Sequence, residues 1–126
     1  MKRASSVRAA AWAVLVALGP PLAAPAAHAL EQIEGAYEAA LVEVVLPAST
    51  RGYVVVPPCS TCRPESLAVD ADTAYVVART AVPYADFARA AAALVAAGRG
   101  RSAAVYVFYD LETTRVTRLV LDDLEV

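Results

Sequence analysis

From residue 30 onward the apolar positions follow a period of two in most stretches and a helical period in one. Tyr37, Ala39, Leu41 and Val45 alternate with Glu38, Ala40, Val42 and Val44. The β-branched content favours a strand there, whereas the alanines and glutamates favour a helix. We read residues 37–46 as a strand, preceded by a frayed acidic start over 30–35. The stretch 47–52 has the composition of a turn and the length of a hairpin connection into a Val/Tyr-rich run at 53–56. Leu67 and Val69 then alternate with Ala68 and Asp70, the pattern of a half-buried strand. Between those two runs lie Pro57, Pro58, Cys59, Cys62 and Pro64, and the prolines rule out both helix and central strand. The segment therefore reads as a β-hairpin whose connection a Cys-x-x-Cys pair closes.

Asp70-Ala71-Asp72-Thr73 is a tight turn in which Asp side chains bond nearby backbone N–H groups. Strands follow at 75–77 and 80–82, joined by Ala78-Arg79. That pair makes a poor two-residue turn, because neither residue favours a positive φ. Over 84–97 the period changes: Tyr84, Phe87, Ala91, Leu94 and Val95 form an apolar helical stripe. Pro83 suits the start, Asp86 suits the first turn, and Gly98 suits the residue after the end. The other alanines let this helix lie close to a sheet. Residues 103–109 are apolar on both faces, as in a central strand covered on each side. A turn at 110–113 leads into a last strand over 115–121, and the acidic end over 122–126 is expected to fray. The order predicts an α+β fold, a curled antiparallel sheet or a small, partly open β-barrel of about six strands with one main helix. An open sheet with the helix on one side is the other packing.

The first 29 residues change the picture of compartment. Lys2, Arg3 and Arg8 precede an apolar run over 9–18, then Gly19-Pro20-Pro21 and a small-x-small ending at Ala27-His28-Ala29. This is the pattern of a secretory signal peptide, and its apolar run is shorter than the ~20 residues a bilayer requires. Residues 30–126 then form a single small β-rich domain, periplasmic or secreted, with no membrane insertion after cleavage. Eight arginines stand against thirteen acidic residues in that part, a formal charge of −5, which disfavours nucleic acid and anionic membranes.

What is missing narrows the chemistry further. The sole histidine, His28, and the sole lysine, Lys2, both lie in the leader, and asparagine is absent throughout. Residues 30–126 thus lack an imidazole for acid–base work, an amine for a Schiff base and a His ligand for zinc or copper. No enzyme, no cofactor and no metal centre is expected, and no catalytic residue is assigned.

Cys59 and Cys62 are read as a structural disulfide, since an exported chain meets an oxidising compartment. A ring of about four residues contributes roughly 2 kcal/mol by loop entropy. Thiol–disulfide exchange is the rival reading, with Arg63 able to stabilise a thiolate, but such pairs normally open a helix and this one leads into a strand. A two-coordinate Cu(I) site on the two sulfurs is the third. Elsewhere, Asp70 and Asp72 lack the rest of a calcium loop, and Asp110 and Glu112 bracket a turn as solvated carboxylates. Arg99 and Arg101 have the chemistry to clasp an anion but equally suit the loop after a helix end. Tyr106, Phe108 and Tyr109 are candidates for a ligand groove, with sheet-face packing the simpler use.

Tyr37-Glu38, Leu46-Pro47, Gly52, Cys59-x-x-Cys62, Val69, Thr73-x-Tyr75 and Phe87 together resemble a group of small exported bacterial proteins of unknown function with a Cys-x-x-Cys hairpin. The resemblance implies export and one small domain; it carries no activity or site. Ala78-Arg79 stands where an Asn-Gly-like turn is expected. The function expected is that of a non-enzymatic exported domain that binds an unknown protein or small-molecule partner through its sheet face or loops. The alternative is a thiol-redox or Cu(I)-handling protein using Cys59 and Cys62.

Overall fold

A computed structural model describes Gly19 and residues 33–123. The expected leader, Gly19 apart, lies outside the described residues, as do residues 30–32 and 124–126. The fold is α+β. In chain order the elements are β1 (Glu34–Ala40), a 3-10 turn (Leu41–Glu43), β2 (Gly52–Val56), β3 (Glu65–Val69), β4 (Ala74–Val77), β5 (Thr80–Val82), α1 (Tyr84–Ala96), β6 (Ala103–Asp110) and β7 (Val116–Asp123). Five strands form one sheet in the order β1-β6-β7-β4-β5, and β2 pairs with β3 in a separate two-stranded sheet.

The sheet is open, not closed into a barrel, with β1 and β5 as its edges. It is also mixed, because β4 runs parallel to β7. The cause is the connection: α1 carries the chain from β5 across to β6, and β7 then turns back antiparallel to β6 and settles beside β4. Sequence order alone cannot place a last strand between two earlier ones.

One face of the sheet carries the core. Val105, Val107, Leu119, Leu121 and Tyr75 point to it, and Phe87 and Ala91 of α1 pack there together with Val54, Val56, Leu67 and Val69 of the β2–β3 hairpin. Helix and hairpin thus share one side of the sheet. The opposite face has no second layer among the described residues: Ala36, Glu38, Ala74, Ala81 and Arg118 are exposed, and Tyr106 and Phe108 are half-buried. The expectation that residues 103–109 are covered on both sides is therefore corrected. Arg118 instead lies over the Phe108 ring at 3.8 Å from its centroid and pairs with Glu34 at 2.9 Å. A cation over a ring shields apolar area without a further layer of structure.

Several boundaries move for reasons visible in the pairing. β1 begins at Glu34, inside the stretch expected to fray, because Glu34 sits opposite Asp110 in the β6 ladder. It ends at Ala40, opposite Ala104, where β6 itself begins. Leu41 and Val44 then turn into the core through the 3-10 turn, and Val45 makes a single bridge to Val55 with both N–O distances 2.9 Å. The other end gains order too, since Asp122 and Asp123 continue β7 opposite Ala104 and Ala103.

The helix follows its sequence signals closely. Gly98 adopts φ 75°, and the N–H groups of Gly98 and Arg99 donate to the carbonyls of Val95 and Leu94. That is a Schellman ending, which satisfies carbonyls the helix leaves over. Val95 departs from the expected stripe and is 52% exposed. No helix among the described residues is long and apolar enough to cross a membrane.

Candidate functional site

The residues singled out for chemistry are scattered, and most are occupied. Cys59 and Cys62 lie at disulfide distance, with Cα atoms 5.0 Å apart, at the exposed tip of the β2–β3 hairpin. The tip is a turn between strands and opens no helix, so no aligned peptide dipoles stabilise a thiolate there. Arg63 is exposed beside it.

The 70–73 turn forms as expected: Asp70 Oδ1 accepts the Asp72 N–H at 2.8 Å, and Asp70 O accepts the Thr73 N–H at 3.1 Å. Asp110 Oδ1 likewise accepts the N–H groups of Glu112 and Thr113 at 2.8 and 2.9 Å. Those backbone donors, Thr113 first, hold the Asp110 carboxyl below its ordinary value. A general acid would need the opposite shift, so the turn reading of Asp110 and Glu112 stands. Arg115 bridges the two turns by pairing with Asp70 at 2.9 Å. No group of His, Cys, Asp and Glu among the described residues is placed to hold a metal ion.

Arg99 and Arg101 do not form a clasp. Arg99 pairs with Asp123 at 2.7 Å, which ties the loop after α1 to the last strand, while Arg101 is exposed beside Glu38 and Glu43. The three aromatic residues of β6 are divided by the pleat. Tyr106 and Phe108 point to the open face, and Tyr109 points to the other, stacking on Tyr37 with ring centroids 4.9 Å apart. The Tyr37 hydroxyl donates to Glu65 at 2.9 Å. Hydrogen bonding with Tyr109, then burial, then Glu65 hold the Tyr37 phenol well above its ordinary pKa. These contacts fasten the hairpin to β1.

The feature that the sequence did not announce is an apolar groove of about 640 Å³ between the segment after β1 and one flank of α1. Leu41, Val44, Val45 and Leu46 form one wall; Ala88, Ala91, Ala92, Val95 and Ala96 form the other. Ala88, Ala92 and Ala96 recur every four residues and so share a helix flank. Their methyl groups are too short to reach the opposing valines, and the space between the walls stays open. Val45 and Val95 stand at the lips, 61% and 52% exposed. Among the described residues no charged side chain lines the groove. The sequence does contain the signal, an alanine-rich helix flank, but alanine is compatible with close packing as well as with a hollow.

No family model matches this chain, and neither a curated protein nor a solved structure matches it.

Proposed function

We propose that the folded domain is an exported, non-enzymatic binding module whose contact surface is the groove between residues 41–46 and α1. The single observation that carries this reading is the groove itself. It is apolar, and its volume lies within the ~300–1,000 Å³ of small-molecule sites. Large valines at its lips spend hydration free energy in the unbound state, which a partner's apolar side chains would recover. Export rests on the leader pattern and on the resemblance of the mature chain to small exported proteins. The occupant that fits is a protein segment bearing a row of apolar side chains.

The test uses the purified protein and 1-anilinonaphthalene-8-sulfonate as an apolar reporter. Wild type is expected to enhance its fluorescence saturably, and Ala92→Glu to abolish the enhancement. Ala92 is exposed and glutamate is a good helix former, so the variant keeps its fold. Equal fluorescence with both proteins would remove the groove from consideration. Turnover of any substrate by the purified protein would end the non-enzymatic reading.

The exposure of both cysteines supports a second reading, thiol exchange or Cu(I) handling at the hairpin tip. Measuring the reduction potential and Cu(I) uptake separates the two. A potential below about −300 mV with no copper bound leaves the pair a structural role alone.

A further inference from the structure

The groove between residues 41–46 and α1 is hollow because the alanine methyls of the helix stop short of the opposite wall. Whatever fills it must therefore bring larger apolar side chains, and must bring no charge into a lining that among the described residues has none to pair with it. The chain itself contains such a segment. Residues 9–18 include Trp12, Val14, Leu15, Val16 and Leu18 and no charged side chain.

The position of that run along the chain lets it arrive. The described residues of the domain begin at Ile33, immediately before β1, and β1 brings the chain to Leu41, at the groove, about 26 Å further on. Residues 19–32, between the run and Ile33, reach up to about 46 Å when extended, enough to return along the whole of β1. β1 is an edge strand, so the return path passes outside the sheet and threads nothing. Charge favours the approach as well. Residues 1–29 carry Lys2, Arg3 and Arg8 and no acidic residue, a formal +3, against −5 on residues 30–126.

We propose that in the uncut chain residues 9–18 occupy the groove, and that removal of the leader opens the site to its partner. The inference rests on the reading of the groove as the contact surface, and it names what keeps that surface closed beforehand. The contact need not be tight. A short tether holds the run at an effective concentration on the order of 1 mM, so a Kd of about 0.1 mM keeps the groove filled roughly nine-tenths of the time.

Trp12 is the only tryptophan of the chain, which makes its emission a direct reporter of the run. The buried core lies within residues 39–121, so the chain lacking residues 1–29 keeps it and serves as the open form. In the full chain Trp12 should emit at short wavelength and be shielded from acrylamide, equally at every protein concentration. Ala92→Glu in the full chain should move the emission to longer wavelength and remove the shielding, because a carboxylate then stands in the hollow. 1-Anilinonaphthalene-8-sulfonate should respond saturably to the leaderless protein and lose most of that response with the full chain. A solvent-exposed Trp12 in the full chain overturns the proposal, as does emission that Ala92→Glu leaves unchanged. Shielding that disappears on dilution overturns it too, since leaders would then be covering one another. The two failures separate cleanly. A dye response of the leaderless protein that Ala92→Glu abolishes, beside an exposed Trp12 in the full chain, sinks this inference alone; an equal response from both leaderless proteins removes the groove and this inference with it.

Discussion

Ala78 and Arg79 join β4 to β5 with φ 47° and 70°, the left-handed region that a two-residue hairpin demands and that residues with a Cβ avoid. Each such residue costs about 1–2 kcal/mol. Replacing the pair with Asn-Gly relieves part of that cost at the first position and all of it at the second. Glycine returns roughly 0.5–1 kcal/mol through the extra freedom of the unfolded chain. The net expectation is a gain of about 1 kcal/mol, or a rise of about 4–8 °C in Tm for a domain of this size. Both side chains are exposed, and the Ala78 N–H bond to Leu121 O at 3.1 Å is a backbone contact that the substitution keeps. The effect should therefore come from the backbone alone. Calorimetry and urea titration measure it, with the midpoint rising and the m-value unchanged. Ala78→Val is the opposing control and should lower Tm, since β-branching tolerates a positive φ worst. An unchanged or lowered Tm in the Asn-Gly variant would show that strain is not what limits this turn.

Three further outcomes follow from the core, the β1 edge and the 110–113 turn. Phe87 is 1% exposed and joins α1 to both the sheet and the hairpin, so Phe87→Ala should cost about 3–5 kcal/mol in urea denaturation. A Cβ on Gly35 would sit 2.5 Å from Cζ of Tyr109; Gly35→Ala should displace that ring, disturb its stacking on Tyr37 and lose about 1–3 kcal/mol, while Gly35→Ala combined with Tyr109→Ala should lose less than the sum. Asp110 has its pKa lowered in the fold, so its contribution is present above the ordinary carboxylate value of 3.8 and disappears as pH falls through the lower folded value. Asp110→Ala should accordingly reduce Tm most at neutral pH, with the gap to wild type closing on acidification; a gap independent of pH would rule out the carboxylate's bonds to Glu112 and Thr113 as the cause.

Local chemistry alone determined a good part of this protein. The helix ran from Tyr84 because its apolar spacing, Pro83 and Gly98 all act within a few residues. The Asp-built turns at 70–73 and 110–113, the hairpin carrying Cys59 and Cys62, and the α+β class were legible for the same reason. Pairing partners were not. Whether residues 37–46 stay extended depends on where β6 begins, and β7 is parallel to β4 because of where α1 delivers the chain. The groove belongs to that second group: it arises between segments far apart in sequence, residues 41–46 and α1, where alanines fail to fill a gap. Short-range preferences are written residue by residue, whereas a hollow exists only once the walls on either side have been brought to their final separation.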